Sequence, residues 1–496
     1  MRGIVYWWGS ERNAMHGLSM MLQFALASVL ILVSLLSTQL LLLAVIRILV
    51  PRVRLAAPAL AEDDLPHVVV QLPVCEEGAL AVRVAAAAAR LNWPADRLHI
   101  QLLDDGAEHN HEGLARALMS VVPAGIDFQI LRRGDRKGFK AGNLAHGLLH
   151  SDAPYVAIFD ADFVPPTDFL RRTIPPLVAD TGLAFVQTRW GHANRERNWL
   201  TRVQGVLLDA HFAVEQDARF RAGLPMSFNG TAGVWRREAI DNGGGWSGDT
   251  LTEDLDLAMR CAMKGWRGAL MPEIEVPGEL PETAAAWRAQ QARWTKGHAQ
   301  TARKLLPMIW TSDMPLWKKA AMSLQMCQFA FYLLAAASVG ISLMLTYGGF
   351  VYIESVAALG LWVSGLGLFT TLSYLFIGQA VLGRGADKYL LPSMVLGIVF
   401  PSGLVLSNSL ATYEAFFSTN MDFNRTQRAG EAYVGRWRGG PELLVGVMLP
   451  AVTFAEQQNW SAPFCVFAVA GLVSIGAMGL SSSAAPARAR EIAPGE

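Results

Sequence analysis

The chain has 496 residues, of which 52% are hydrophobic and only 17% are charged, and its formal net charge is zero. This composition is too apolar for an ordinary soluble enzyme, and the balanced charge gives no reason to expect a nucleic-acid partner. The four cysteines show no CxxC spacing, so we expect reduced structural thiols rather than a disulfide framework.

The apolar residues are concentrated near the two ends of the chain. Residues 18–50 contain one charged residue, Arg47, and are longer than a signal-peptide core. They therefore predict a retained transmembrane helix, which follows a short tail at residues 1–17. Residues 320–382 and 442–480 each predict two further spans.

Basic residues beside the first two spans predict the orientation of the protein. Arg52 and Arg54 follow the first helix, and Lys318 and Lys319 precede the second. Because Lys and Arg are enriched on the cytoplasmic side of spans, the intervening domain at residues 51–295 is predicted to be cytoplasmic. The protein is then a multi-pass protein of the plasma membrane.

Two apolar segments outside the spans are predicted to lie in the membrane interface. Residues 296–319 continue an amphipathic helix, a pattern typical of the headgroup layer. Residues 389–416, inside the connecting segment 383–441, are apolar enough for a sixth span but are interrupted by prolines and polar residues. With this segment in the interface, five spans keep the later basic residues and the disordered tail, residues 481–496, on the cytoplasmic side.

In the central domain, apolar strands alternate with helical patterns. The strands are HVVVQLPV, HIQLLDD, DFQILRR, YVAIFDAD and LAFVQTRW, and helices such as AVRVAAAAARL and EGLARALMSVV lie between them. This alternation predicts a doubly wound, mostly parallel α/β sheet with helices on both faces. Ligands of such sheets bind at the carboxyl ends of the strands.

The strand that begins at Tyr155 ends in two carboxylates, Asp160 and Asp162. On an extended chain, side chains two residues apart point the same way, so these two are predicted to converge. Carboxylate oxygens suit Mg²⁺ or Mn²⁺, and a cation held there could bind a diphosphate. The alternative interpretation of these two residues alone is an acidic turn that precedes a helix, with Thr167 as the N-cap of that helix.

Acidic residues also end the first two strands. The segment PVCEE contains Pro73 and Glu76, and Asp104 and Asp105 end the second strand. This is the edge at which a base and ribose would bind, although Asp-Gly turns are common in any fold. Lys140 begins the helix KAGNLAHGLL and is predicted to meet a diphosphate at that helix N-terminus. A solvated basic loop explains the preceding RRGDRKG equally well.

The second half of the domain contains a loop of small residues and an acidic helix start. The loop suits a ligand that passes close to the backbone. Its candidate ligand-binding residues are Phe228, Asn229, Gly230 and Thr231. Glu253 and Asp254 open the next helix, where carboxylates are also favourable without any catalytic role.

The motifs PVCEE, LDDG, KAGN, DAD, TED and QQARW, in this order and flanked by membrane helices, resemble the membrane-embedded family 2 glycosyltransferases. The closest resemblance is to the cellulose synthase-like and mannan synthase-like branch. It covers almost the whole soluble domain and implies a GT-A fold. The motifs are very specific for the family and much less specific for the sugar.

The resemblance implies roles for the acidic motifs. Asp104 and Asp105 match the acids that hold the uridine part of a UDP-sugar, while Asp160 and Asp162 match the metal-diphosphate motif. Asp254 matches the general base.

The resemblance also implies roles for two later motifs. Gln290, Arg293 and Trp294 match the QxxRW motif at the acceptor and diphosphate, and Trp294 offers a flat face to a sugar ring. The segment 423–426, which ends at Thr426, resembles the gating loop that closes over bound nucleotide. Cys75 departs from the family, which often has Tyr there, and Asn424-Arg425 replaces the usual apolar pair.

These roles predict an inverting, processive synthase of a β-glucan or mannan that extends its product at the cytoplasmic face and exports it. Asp254 would take the acceptor proton, the metal would neutralise the departing diphosphate, and Arg293 would supply a second cation. The acceptor would bind along the loop of small residues, at Phe228, Asn229, Gly230 and Thr231. UDP-glucose is the first donor expected and GDP-mannose the second, with accessory export subunits as partners. The alternatives are a single transfer to a lipid acceptor and, in another class, a transporter, which the scarcity of ionisable residues in the spans disfavours.

Overall fold

The computed structural model describes residues 2–417, 439–453 and 462–483. Helix α1 (Arg2–Leu49) includes the segment Met15–Leu49, which is long and apolar enough to cross a membrane. Its charged residue, Arg47, lies near the end that meets the central domain, where its Nε is 2.6 Å from Asp217 Oδ2. An ion pair with the central domain therefore accounts for a charge at the end of an apolar helix.

A seven-stranded sheet forms the core of the central domain. The strands are β1 (Val68–Val74), β2 (Leu98–Asp104), β3 (Asp127–Arg132), β4 (Tyr155–Ile158), β5 (Leu183–His192), β6 (Gly233–Arg236) and β7 (Arg267–Gly278). Their order is β3-β2-β1-β4-β6-β5-β7, and β6 is antiparallel to both neighbours while the other pairs are parallel. The mostly parallel α/β sheet is confirmed. Strands β6 and β7 were not predicted.

Helices cover both faces of this sheet. They are α2 (Ala79–Ala88), α3 (Glu108–Val121), α4 (Phe139–Leu148), α5 (Phe169–Ala179), α6 (Trp199–Ala210), α7 (Asp217–Arg221), α8 (Arg237–Asn242) and α9 (Glu253–Met263). A π-helix, His211–Gln216, joins α6 to α7. Along β1, Val68 and Val70 pack in one hydrophobic core and Val69 packs in the other. This alternation shows that both faces of the central strand are buried.

The remaining helices connect the central domain to the apolar region. They are α10 (Ala284–Thr311), α11 (Leu316–Met326), α12 (Ala330–Tyr347), α13 (Glu354–Val381), α14 (Leu390–Ser402), α15 (Val405–Phe417), α16 (Gly440–Thr453) and α17 (Ala462–Ser483). Two more segments, Leu316–Tyr347 and Glu354–Val381, are long and apolar enough to span a membrane. The predicted span boundaries and the spans within residues 442–480 stay predictions.

Helices α14 and α15 form a pair bent by 47°, either a broken span or a re-entrant loop. The loop before α14 contacts the central domain, because Asp387 Oδ2 accepts from Arg202 at 3.0 Å. The end of α15 contacts helix α10, where Lys296 Nζ lies 3.1 Å from Glu414 Oε2. The placement of residues 389–416 in the membrane interface stays a prediction.

A buried ionic cluster around Asp209 joins the central domain to α13 and the loop after it. Asp209 Oδ2 accepts hydrogen bonds from Arg195, from Gln379 Nε2 at 3.1 Å and from Arg384 Nη1 at 2.6 Å. Burial alone would raise the pKa of Asp209. The hydrogen bond and charge of His192, with the charges of the two arginines, instead hold that pKa well below its usual range.

We expect Asp209→Asn to destabilise the protein by about 3 kcal/mol, because the substitution leaves buried arginines without their counter-charge. Because the folded pKa of Asp209 is depressed, this stabilisation is complete above the unfolded pKa and is lost only as the pH falls into the acidic range. The deficit should therefore persist at neutral pH, and thermal unfolding of the detergent-purified protein measures it.

Asp387→Asn is the matched control, because the Asp387 side chain is 31% exposed and its ion pair with Arg202 contributes about 1 kcal/mol or less. Equal melting temperatures for the two variants would contradict the assignment of Asp209 as the stabilising contact.

Candidate active site

The carboxyl ends of the parallel strands form one edge of the sheet, and the backbone is strained along it. In the part of the chain that the structure describes, the non-glycine residues with positive φ are Glu76 (64°), Phe139 (48°) and Ala232 (55°). Glu76 follows β1, Phe139 begins α4 and Ala232 precedes the antiparallel β6, so all three lie at this edge. Such strain is retained mainly at functional sites, which marks this edge as the candidate site.

Asp160 and Asp162 follow β4 in a turn, not on an extended strand. The strand ends at Ile158, and Phe163 N donates to Asp160 O at 3.0 Å. The extended geometry from which we predicted convergence is therefore wrong, because the chain bends directly after the strand. Asp160 Oδ1 accepts from Lys140 Nζ at 2.5 Å, whereas Asp162 Oδ2 accepts from Glu279 N at 3.2 Å.

Whether this turn could hold Mg²⁺ or Mn²⁺ depends on its donor set. Across the described residues, no group of three or more His, Cys, Asp or Glu side chains is arranged to hold a metal. Asp160 nevertheless offers carboxylate oxygens at the ligand edge, and Mg²⁺ is often bound by one or two carboxylates together with substrate phosphates. The residues therefore fit a cation that arrives with a nucleotide diphosphate. The metal roles of Asp160 and Asp162 stay predictions.

Lys140 connects the turn after β4 to the start of α9. Its Nζ donates to Gly230 O at 2.9 Å and lies 4.0 Å from Glu253 Oε1. Gly230 has a φ of 80°, and a Cβ at this position would lie 3.0 Å from Asp254 Oδ2. The structure thus brings five predicted site residues together: Lys140, Asp160, Gly230, Glu253 and Asp254.

The charges in this cluster shift the pKa values of its members. Burial, and then the charge of Glu253, raises the pKa of Asp254 to about 7. Burial also raises the pKa of Glu253, although the charges of Lys140 and Arg293 oppose that rise. Burial alone would lower the pKa of Lys140, but the carboxylates of Asp160, Glu253 and Asp254 raise it. Asp254 is therefore poised to exchange a proton near neutral pH.

The small-residue loop before β6 is more buried than predicted. The Phe228 ring is 1% exposed and packs edge-to-face on Phe185, with ring centroids 5.5 Å apart. Its prediction as an acceptor-binding side chain is wrong, because the ring belongs to the hydrophobic core. Thr231 is fully buried, and its Oγ1 accepts from Asp160 N at 2.8 Å. Thr231 therefore shapes the turn after β4.

A π-helix that the sequence did not predict holds Asn229 in this loop. Gln216 Nε2 donates to Asn229 Oδ1 at 2.7 Å, and Asn229 Nδ2 lies 2.9 Å from His211 Nε2. His211 Nδ1 lies 3.0 Å from Glu215 Oε2, so the ring donates to Glu215 and accepts from Asn229. In the sequence, only the polar residues within HFAVEQ indicated that this segment could hold the loop. Single-turn π-helices occur frequently at functional sites.

The predicted nucleotide-binding acids form internal ion pairs. Asp105 accepts from Arg133 Nε at 2.7 Å and from Arg133 Nη2 at 2.6 Å, and Asp104 Oδ2 lies 3.3 Å from Arg132 Nε. These arginines would have to share the acids with a nucleobase. The two other predicted residues, Pro73 and Glu76, lie at the end of β1 and in the loop after it.

The QQARW motif lies in α10, beside the cluster. Gln290 is buried, and the Trp294 ring centroid is 6.4 Å from that of Trp190. The charge of Arg293 reaches Glu253, as described above. Thr426 and the rest of the predicted gating loop lie outside the described residues.

The chain was next compared with protein-family models. Residues 155–376 match the model described as Glycosyl transferase family group 2. This stretch runs from β4 into α13 and contains Asp160, Asp254 and Trp294. The chain contains a family 2 glycosyltransferase domain. Similar proteins are consistent with this family and with its cellulose synthase-like type.

Two plant proteins illustrate that likeness. Glucomannan 4-beta-mannosyltransferase 1 of Oryza sativa subsp. japonica is 40% identical over 267 residues, which cover 53% of this chain and 51% of the rice protein. Glucomannan 4-beta-mannosyltransferase 9 of Arabidopsis thaliana is 40% identical over 265 residues, 52% of this chain and 50% of that protein. The chain thus spans about half the length of the curated relatives it matches.

The family 2 domain also has a structural neighbour. A mannosyltransferase from Pyrobaculum calidifontis, solved in complex with GDP-Man and Mn2+, superimposes with a TM-score of 0.51. The match covers 75% of this chain and 99% of that chain, at 19% sequence identity. This likeness concerns the fold, and it confirms the GT-A-like architecture.

We expect Lys140→Met to strengthen Mn²⁺ binding to the nucleotide-free glycosyltransferase by roughly tenfold, because the ammonium that competes for Asp160 is removed. Titration of free Mn²⁺, followed by electron paramagnetic resonance, measures the affinity. Lys264→Met is the control, because Lys264 is exposed at the far end of α9. Unchanged or weaker binding to the Lys140 variant would exclude Asp160 as a metal ligand.

Proposed function

We propose that this chain is an inverting mannosyltransferase that extends a β-linked glycan of mannan type at the cytoplasmic face of the plasma membrane. The observation that carries the proposal is the cluster of Asp254, Lys140 and Asp160, in which a carboxyl group with a pKa of about 7 lies close to a lysine and a metal-suited carboxylate. Such a site can accept a proton at neutral pH beside the position of a leaving diphosphate.

The comparisons favour GDP-mannose over UDP-glucose, which we expected first from the sequence. The rice and Arabidopsis relatives are named glucomannan 4-beta-mannosyltransferases, and the archaeal neighbour holds GDP-Man. These names describe those proteins. They support GDP-mannose as the donor of this chain because the first relative is 40% identical over 267 residues.

In the proposed reaction, an acceptor hydroxyl attacks the anomeric carbon opposite the leaving nucleotide. Asp254 takes the hydroxyl proton while the bond between that carbon and the diphosphate oxygen breaks, and the electron pair leaves with the diphosphate. A divalent cation on Asp160, when bound, neutralises charge on the diphosphate. Lys140 and Arg293 supply further positive charge, and attack from the opposite face converts an α-linked donor into a β-linked product.

The arrangement of α10 supports a growing glycan as the acceptor. This helix contains Trp294 and leads into α11, the start of the apolar segment Leu316–Tyr347. An acceptor on Trp294 would therefore lie where the central domain meets the membrane helices. Processive extension, export between the helices and accessory export subunits belong to this proposal, and transfer of a single sugar to a lipid is the alternative outcome of its test.

The first test supplies detergent-purified protein with Mn²⁺ and, separately, labelled GDP-mannose, UDP-glucose and UDP-N-acetylglucosamine. We expect a high-molecular-weight, mannanase-sensitive product from GDP-mannose, and we expect Asp254→Asn to lower kcat by about 10²- to 10⁴-fold because the base is lost. Asp241→Asn is the control, because the Asp241 side chain is 59% exposed and lies away from the cluster. It belongs to α8, which follows the end of β6 that pairs with the start of β4, whereas the cluster lies beyond the end of β4. A small, chloroform-soluble product would show single transfer to a lipid, and transfer from UDP-glucose alone would refute the donor assignment.

The pH dependence of kcat provides a second test. Because Asp254 must be deprotonated to act as a base and its pKa is about 7, kcat should rise with pH, with a midpoint near that value. Glu253→Gln removes a neighbouring negative charge, so it should lower the pKa of Asp254 and move the midpoint to lower pH. A kcat that does not change between about pH 6 and pH 8 would contradict the role of Asp254.

A further inference from the structure

One face of helix α10 contacts the segment that carries the proposed base. This face contacts the chain between residues 249 and 256. It consists of four residues at helical spacing: Gly297, Gln300, Thr301 and Lys304. This face lies directly after QQARW in the sequence. Neither the sequence motifs nor the comparisons assign a role to it.

Two buried hydrogen bonds connect this face to the residues before α9. Gln300 Oε1 accepts from Leu251 N at 3.0 Å. Thr301 Oγ1 lies 3.0 Å from Thr252 Oγ1, and Thr301 is fully buried. Because buried polar groups need partners, the loss of either bond would force this backbone to move or leave a polar atom unsatisfied.

The bond to Thr301 replaces the usual cap of α9. Thr252 is the N-cap residue of α9, but its side chain makes no capping hydrogen bond to the first turn. A threonine at this position normally accepts from a backbone N–H inside its own helix. The direction in which α9 begins is therefore set by α10, and the first two residues of α9 are Glu253 and Asp254.

The contact is also close at the backbone. A Cβ on Gly297 would lie 2.6 Å from Thr252 Cγ2 and 3.1 Å from Leu251 C, so α10 approaches this loop as closely as a glycine allows. Lys304 Nζ lies 2.8 Å from Asp249 Oδ1 and 2.9 Å from Asp256 Oδ1. One lysine therefore fixes both sides of the segment that contains Asp254.

Other residues of α10 contact the apolar helices. Arg288 Nε lies 3.0 Å from Glu442 Oε1 in α16, and Arg303 Nη1 donates to Phe416 O in α15 at 3.2 Å. Helix α10 therefore lies between the helices of the apolar region and the start of α9. A displacement of α10 relative to the sheet would move both the QQARW residues and the segment before α9.

We propose that Thr301, supported by Gly297 and Gln300, is a positioning residue that holds the carboxylate of Asp254 at the reacting atoms. This inference rests on the proposed function, because it takes Asp254 as the base. It adds that α10 determines the position of the base as well as presenting QQARW. A small misplacement of a catalytic group affects turnover more than it affects donor binding.

The main test compares Thr301→Val, which is nearly isosteric but lacks the hydroxyl, with Thr301→Ser, which retains it. We expect Thr301→Val to lower kcat by about tenfold or more, to leave the KM for the donor within about twofold, and to shift the pH midpoint of kcat. Thr301→Ser should behave as the unmodified protein does. Equal kcat values for the two variants, or a parallel loss of kcat, donor binding and thermal stability in Thr301→Val, would overturn the proposal.

A second pair of variants tests the close contact independently. Gly297→Ala places a methyl group against Thr252 Cγ2 and should lower kcat. Adding Thr252→Ser removes the methyl group at 2.6 Å but keeps the hydroxyl at 3.0 Å and Leu251 C at 3.1 Å, so the double variant should recover part of the lost kcat. A Gly297→Ala variant with full activity, or a double variant without recovery, would contradict the positioning role.

These tests separate the positioning role from the donor assignment. If the unmodified protein transfers another sugar of the donor panel, the donor assignment fails and the same variants are compared with that sugar. If it transfers none, the proposed function fails, and electron cryo-microscopy structures of the unmodified protein and Thr301→Val decide the positioning role. A displaced turn from Thr252 to Asp254 would support that role, and an unmoved turn would overturn it.

Discussion

The ammonium of Lys140 holds together a site in which carboxylates are brought out of water. It contacts Asp160 and the carbonyl of Gly230, and it lies near Glu253, while Asp254 lies against the Gly230 backbone. One positive charge cannot balance three negative charges in such a space, so protonation or another cation must relieve the excess. Burial, and then the charge of Glu253, raises the pKa of Asp254, and the charge of Arg293 opposes the rise in the pKa of Glu253. A metal bound with a nucleotide would supply further positive charge.

The same imbalance requires hydrogen bonds that support the surrounding loops. Carboxylates that repel each other remain close only if hydrogen bonds from neighbouring residues hold the backbone that carries them. In the turn after β4, Asp160 N donates to Thr231 Oγ1. In the loop before β6, the side-chain amide of Asn229 contacts Gln216 and His211. Thr231 and Asn229, which we predicted to bind the acceptor, thus also make hydrogen bonds that support the neighbouring turn and loop.

The sequence predicted the elements of this fold better than it predicted the directions of side chains. Strands β1 to β5 and the helix that carries Asp254 follow from apolar runs and periodicity, because burial of a continuous face dictates both. The turn after β4 did not follow, since its direction is set by Thr231, far away in sequence. Phe228 was misplaced for a related reason, because a loop of small residues gives no sign that its one large side chain belongs to the core. The π-helix was missed because its residues also fit an α-helical pattern.

The helix that contains this π-turn shows how the acceptor side of the site is oriented relative to the apolar region. At the end of α6, Asp209 binds Arg384, which follows α13, and at the start of α7, Asp217 pairs with Arg47 of α1. The π-helix lies between these two ion pairs and holds Asn229. The two attachments flank the π-turn, so it cannot tilt toward or away from the sheet without breaking one of them. Asn229 is therefore connected through the π-helix to α1 and to the loop after α13, and in the proposed reaction an acceptor bound along its loop would begin beside the helices that its product must pass if it is exported.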